Sequence, residues 1–200
     1  MDSTTSVVLA GVGGQGVLLV SEMLALAAIE AGYDAKQTED HGVSQRGGSV
    51  SCHVRYGPIV YSPLVTAGQA DAVVGLEKLE GLRYAHYLRE GGTLVVNTHE
   101  ILPLSAGPAA SEYPQHAIEF LRARGLQVMD IAATNVAVAM GEVRAANVVL
   151  LGALSTCLNL PAEVWNKILR QRVPKKYLSL NQLAFAEGVR LAAGHAYSKA

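Results

Sequence analysis

A short apolar strand that runs directly into glycines and then into a helix is the strongest constraint on how this chain can fold. Val7-Val8-Leu9, inside a strand expected over Ser6–Ala10, leads into Gly11-Val12-Gly13-Gly14-Gln15-Gly16. From Gly16 to Ala31 the pattern is helical, and Gly32 is placed to end that helix as its C′ residue. A strand that turns at once into a helix is the opening unit of an α/β sheet. Gly11, Gly13 and Gly16 also satisfy the Gly-x-Gly-x-x-Gly dinucleotide spacing. Glycines let backbone approach an anion, and a helix N-terminus offers unpaired N–H groups and a positive dipole end. Glu39 or Asp40 then stands about 20 residues on, where such folds take a ribose hydroxyl. The same glycines equally suit a tight turn and close helix–sheet packing, and this motif alone does not decide between the two.

The rest of the chain continues the alternation. Strands are expected at Asp34–Thr38, Ser49–Tyr56, Ala72–Gly75, Thr93–Asn97 after a Gly91-Gly92 turn, and Gln127–Ile131, with a helix over Glu77–Leu88. In Ser49–Tyr56, Val50, Cys52 and Val54 alternate with Ser51, His53 and Arg55, the pattern of a half-buried strand. From Ala132 the chain reads as helical to its end, with Pro161 at an N1 position. The expected fold class is α/β and Rossmann-like: a mostly parallel sheet, helices on both faces and a helical C-terminal part. The linker-like stretch Pro103–Pro114 does not divide it, so residues 1–200 are read as one domain.

Composition narrows the function. Half of the 200 residues are hydrophobic and 16% are charged, against about 25% charged in an average domain. That apolar content excludes disorder and leaves material for a partner-facing surface. With 16 basic and 17 acidic residues, nothing electrostatic favours nucleic acid or an anionic membrane. The longest apolar stretch, Val17–Ile29, is interrupted by Ser21 and Glu22 and is too short for a bilayer. No basic segment precedes the first apolar run, as a secretory signal would require, so a cytoplasmic chain is expected. Two cysteines, Cys52 and Cys157, cannot supply the four thiolates of an iron–sulfur cluster, and both read as buried and unreactive.

The second glycine motif is more informative. His41-Gly42-Val43-Ser44-Gln45-Arg46-Gly47-Gly48-Ser49-Val50 sets Arg46 between a polar loop and two glycines, just before a strand. Its guanidinium there suits a phosphate or carboxylate, and Gly47-Gly48 admit a ligand or another chain to the backbone. Gln15 offers its amide to a phosphate, a partner backbone or the helix start. Thr134 and Asn135 follow the strand ending near Ile131, at the end of a parallel sheet where ligands bind or where helices are capped. The histidines at 41, 53, 86, 99, 116 and 195 lack metal-ligand spacing, although His41 shares the Arg46 loop. The basic run Arg170-Gln171-Arg172-Val173-Pro174-Lys175-Lys176 reads as a solvated interhelix turn, and Trp165 as packing with Ile168 and Leu169.

Taken together, the two glycine motifs resemble the gamma domain of the 2-oxoacid:ferredoxin oxidoreductases, and most closely its stand-alone form in enzymes for aryl pyruvates such as indolepyruvate. The likeness continues through Val54-Arg55-Tyr56-Gly57, Tyr61-Ser62-Pro63-Leu64 and Asp71-Ala72-Val73-Val74-Gly75-Leu76-Glu77. It extends to Asn147-Val148-Val149-Leu150-Leu151-Gly152-Ala153 and to Asn181-Gln182-Leu183-Ala184-Phe185-Ala186-Glu187-Gly188. The resemblance implies an accessory subunit, inactive alone. Its catalytic alpha-type partners would carry thiamine diphosphate with magnesium and the iron–sulfur clusters, and would pass electrons to ferredoxin. It further implies that Gly11, Gly13, Gly14, Gln15, Gly16, Arg46, Gly47 and Gly48 face coenzyme A or the catalytic subunit; Thr134 and Asn135 join them as cofactor-binding candidates on their position alone. Pyruvate, 2-oxoglutarate and phenylglyoxylate enzymes have gamma chains too. A free-standing NAD(P)-dependent oxidoreductase using Gly11, Gly13 and Gly16 with Glu39 or Asp40 is the competing reading.

Overall fold

The computed structural model describes residues 4–41, 48–102 and 113–196. Six strands form one sheet: β1 (Thr5–Val12), β2 (Asp34–His41), β3 (Ser49–Gly57), β4 (Ala70–Gly75), β5 (Leu88–Asn97) and β6 (Gln127–Ile131), in the order β2-β3-β1-β4-β5-β6. β1 pairs in parallel with β4, β4 with β5, and β5 with β6, whereas β3 runs antiparallel to both β1 and β2. Among the described strands β3 is therefore the single reversed one, and the expectation of a mostly parallel sheet holds. The helices are α1 (Val17–Glu30), α2 (Lys78–Tyr84), α3 (Ala117–Ala123), α4 (Ala133–Ala139), α5 (Ala146–Ser155), α6 (Ala162–Arg172) and α7 (Leu178–Ala196).

Strand alternation sends Val7 and Leu9 of β1 into a large core with α1, α5, α6 and α7, and Val8 into a smaller one with α2 and α3. Leu24, Leu151, Trp165, Ile168 and Leu169 fill the first core. Leu94, Val96, Ile118 and Leu121 fill the second. Trp165 packs within 5.6 Å of the Phe185 ring, the core role expected of it.

Several local expectations change. β3 is buried on both faces, because it lies inside the sheet between β2 and β1. Cys52 and Val54 face the large core, while Ser51 and His53 are buried on the other side. The Glu77–Leu88 helix ends at Tyr84 and gives way to a tight turn over Ala85–Tyr87. β5 starts at Leu88, so Gly91 and Gly92 lie within the strand, where its pairing with β4 is irregular. Pro161 is the N-cap of α6, its ψ of 140° being extended, and the helix starts at Ala162. Helix α3 was not anticipated; its apolar residues Ala117, Ile118 and Leu121 cover the smaller core. Cys157 is exposed just past the end of α5, where the helix has already turned out of the core. Cys52 is buried as expected, and burial pushes its thiol pKa up.

His53 carries a pH signature. Its Nδ1 accepts from the Val65 amide at 3.0 Å, and its ring meets Tyr87 edge-on. Burial holds the imidazole below its ordinary pKa, outweighing the opposing charge of Asp40. The unfolded chain takes up a proton near pH 6.5 that the folded chain resists, so this contribution is complete above about 6.5 and is lost as the pH falls from there. A plot of Tm against pH is expected to fall as the pH drops below about 6.5, and to flatten in His53→Gln. An unchanged slope in that variant rejects the assignment.

Candidate functional site

A parallel sheet leaves a crevice where its strands end and the chain diverges to helices on opposite faces. Here that crevice is a cavity of about 460 Å³ beside the C-terminal ends of β1, β4 and β5. The β1–α1 turn contributes Gly14, Gln15 and Gly16, and the segment after β5 contributes His99 and Ile101. Thr134 of α4, the stretch from Glu142 to Asn147, and Val173, Tyr177 and Asn181 complete its walls.

Buried and half-buried carboxamides organise the floor. Gln15 accepts from the Val12 amide at 2.8 Å and donates to the Leu76 carbonyl at 3.1 Å, tying the glycine turn to the end of β4. The Gln15 side chain thus does not cap α1, whose N-cap Gly16 has no side-chain bond, and one of its two amide hydrogens is committed to Leu76 O. Asn97 donates to Leu76 O at 3.1 Å and to Thr134 Oγ1 at 2.9 Å, so Thr134 links β5 to α4 and does not cap the helix. Asn147 and Asn181 differ. Each is 8% exposed and uses only its amide nitrogen, Asn147 on Gln15 O at 3.3 Å and Asn181 on Tyr177 O at 2.9 Å. Among the described residues none donates to either Oδ1, and both asparagines line the cavity.

The rim is charged but balanced. Arg144 lies over the Tyr177 ring at 5.4 Å and pairs with Glu142, whose carboxyl that guanidinium holds down to about 2. Arg172 pairs with Glu22. Both arginines are exposed, and such pairs rearrange at little cost when a stronger anion arrives. The interhelix turn expected over 170–176 is shorter than that: Arg170–Arg172 form the last turn of α6, Val173 is buried, and Arg172, Val173 and Pro174 form one cavity wall.

Of the expected site residues, Gly14, Gln15, Gly16 and Thr134 reach the cavity. Gly11 is buried in the end of β1, and Gly13 donates its amide to the Gly48 carbonyl at 2.9 Å, joining the two glycine motifs by backbone. Asn135 is exposed on α4 and does not line the cavity, because its side of the short helix faces away. Arg46 and Gly47 lie outside the described residues. Asn97, His99, Arg144, Asn147, Tyr177 and Asn181 were not anticipated as site residues. Asn147 and Asn181 nevertheless open two of the segments that carry the family resemblance.

The dinucleotide alternative meets a topological obstacle. A Rossmann fold sets β2 directly beside β1, so that the acidic residue at its end reaches a ribose bound at the β1 turn. Here β3 intervenes: Glu39 is opposite Cys52 and Asp40 opposite Ser51, two strand spacings (about 10 Å) from β1.

The pyruvate ferredoxin/flavodoxin oxidoreductase signature matches residues 6–191, and the chain belongs to that family. Indolepyruvate oxidoreductase subunit IorB of Thermococcus kodakarensis is 37% identical over 194 residues, 94% of this chain and 95% of that one. The gamma subunit of a keto/oxoacid ferredoxin oxidoreductase from Geobacter sulfurreducens superposes with a TM-score of 0.71 at 27% identity, covering 95% and 99% of the two chains. A 2-oxoglutarate:ferredoxin oxidoreductase from Magnetococcus marinus with 2-oxoglutarate, coenzyme A and succinyl-CoA bound shares the fold at a TM-score of 0.75 and 21% identity, covering 97% of this chain and 32% of that one. The chain is accordingly an accessory, gamma-type subunit of a 2-oxoacid:ferredoxin oxidoreductase.

Proposed function

We propose that this subunit, one gamma-type domain over residues 1–200, serves a cytoplasmic enzyme that oxidises indolepyruvate or a related aryl 2-oxoacid to its acyl-CoA and delivers electrons to ferredoxin. Its own part is to bind coenzyme A in the cavity at the strand ends. The observation that carries this reading is the cavity itself, with two nine-tenths buried asparagines whose acceptors meet no donor among the described residues and arginines at its rim. Exocyclic amines and amides of such a ligand match the acceptors, and its phosphates match Arg144 and Arg172. The aryl 2-oxoacid rests on the similarity to the indolepyruvate enzyme's subunit.

Thiamine diphosphate with magnesium and the iron–sulfur clusters fit a catalytic alpha-type partner better than this chain. The cofactor there supplies the decarboxylation chemistry. Two thiols cannot ligate a cluster that takes four, and Cys52 and Cys157 lie apart in character, one in the core and one on the surface. Among the described residues no group of three or more His, Cys, Asp and Glu is arranged to hold a metal, and no helix is long and apolar enough to cross a membrane.

The test is to fill the cavity. Ala146→Trp, at the start of α5 in the cavity wall, is expected to raise the coenzyme A KM of the reconstituted complex about tenfold, a loss of about 1.4 kcal/mol. The KM for the 2-oxoacid should stay the same. An unchanged coenzyme A KM in an intact complex refutes this site. A kcat/KM higher for pyruvate or 2-oxoglutarate than for indolepyruvate refutes the substrate.

A further inference from the structure

One buried carboxylate holds the cavity wall that follows β5. Glu77 is 1% exposed and stands at the N-cap of α2, where its Oε2 accepts from the Glu80 amide at 2.9 Å. Its Oε1 accepts twice more, from the Ile101 amide at 3.0 Å and from the Tyr113 hydroxyl at 2.5 Å. The next residue works on the same wall. Lys78 donates its amide to His99 O at 3.0 Å, and its ammonium to Glu100 at 2.7 Å and to Gln115 O at 3.2 Å. His99 and Ile101 line the cavity, whereas Glu77 does not.

Capping alone does not explain a glutamate here. Helix N-caps favour Ser, Thr, Asp and Asn, whose short side chains reach the N2 or N3 amide. Burying a full carboxylate is costly unless several donors meet it. The extra methylene of Glu77 lets one carboxylate cap α2 and also grip two points that are far apart in sequence, Ile101 and Tyr113. Burial beside Glu77 raises the Tyr113 pKa far above its ordinary value, so the hydroxyl remains a donor.

We infer that Glu77 is a positioning residue of the coenzyme A cavity: through Ile101 and Tyr113 it fixes the His99–Ile101 wall against the ligand. This rests on the cavity being the coenzyme A site. In the reconstituted complex, Glu77→Asp keeps the charge and a good N-cap but loses the reach. It is expected to lower the Tm of the subunit by several degrees, because two buried donors lose their acceptor, and to raise the coenzyme A KM about fivefold, with kcat and the 2-oxoacid KM unchanged. Tyr113→Phe, which removes one donor at almost constant volume, should raise the same KM in the same direction. Because both act through one carboxylate, the double variant should be little worse than Glu77→Asp. A coenzyme A KM unchanged in both variants while Ala146→Trp raises it leaves Glu77 a helix cap only and overturns the inference. If Ala146→Trp also leaves that KM unchanged, the cavity reading falls and this inference with it. A fall in kcat without a change in coenzyme A KM overturns the positioning role as well.

Discussion

Alanine at Gly188 is expected to destabilise the subunit by on the order of 3 kcal/mol, lowering its Tm by roughly 6–12 °C. A Cβ at Gly188 would lie well under 3.0 Å from the Val149 carbonyl oxygen and 2.9 Å from the Ala153 amide. A Cβ at Gly152 would similarly press on the Phe185 carbonyl. The two glycines thus face each other's helix in the α5–α7 contact, and the atoms they meet are backbone, which cannot rotate away. The helices would have to separate and open voids between Leu154, Phe185 and Ala192. Because the substitutions strain one contact, Gly152→Ala and Gly188→Ala together should cost less than their sum. Gly194→Ala, further along α7 with nothing within 4 Å, is the control and should be neutral or slightly stabilising. Thermal unfolding of the four variants decides the matter: a Tm for Gly188→Ala equal to that of Gly194→Ala contradicts the packing argument. The contact also bears on the site, since α5 carries Asn147 and α7 carries Asn181.

The second large effect is expected at Gly16. Its φ of 81° is left-handed, a conformation that costs an L-residue about 1–2 kcal/mol. A Cβ there would also collide with Nδ2 of Asn147, the atom that holds Gln15 O. Gly16→Ala is therefore expected to lose about 2 kcal/mol of stability and to raise the coenzyme A KM about tenfold, by turning Asn147 out of place. Gly14→Ala separates the two causes. Its φ of 103° is also left-handed, yet nothing lies within 4 Å of the new methyl. It should cost stability with a smaller change in KM. Equal KM changes in both variants would show that contact with Asn147 is not the source.

Much of this architecture was legible in the sequence. Val7-Val8-Leu9 followed by glycine, and the same succession at Ala72–Gly75, announced parallel strands entering helices, since apolar runs of that length are buried on both faces. The alternation in Ser49–Tyr56 was read for the wrong environment. Period-2 patterning reports side-chain polarity, and His53 and Ser51 are buried because β2 and the Val65 segment flank them, which only topology decides. The glycine turn was visible, but its use was not. Whether Gln15 meets a ligand or Leu76 depends on a strand 61 residues away. The cavity residues Asn97, Asn147 and Asn181 were hidden for the same reason, each lying on a different element and converging only in the fold. Glu77 leaves a trace in the sequence, a long acidic side chain at a helix start where a short one would do.

The reversed strand β3 also determines how the sheet ends. By inserting itself beside β1 it moves β2 to the margin, where among the described residues one row of backbone amides and carbonyls pairs with no further strand. Such a margin is a template for adding strands from other copies of the same chain. β2 is poorly suited to that, because Asp34, Lys36, Glu39 and Asp40 place charges on both of its faces. A second copy laid alongside would have to bring carboxylates together and desolvate them. The outward row of this sheet is thereby protected against self-templated aggregation during the interval between synthesis and assembly with a catalytic partner.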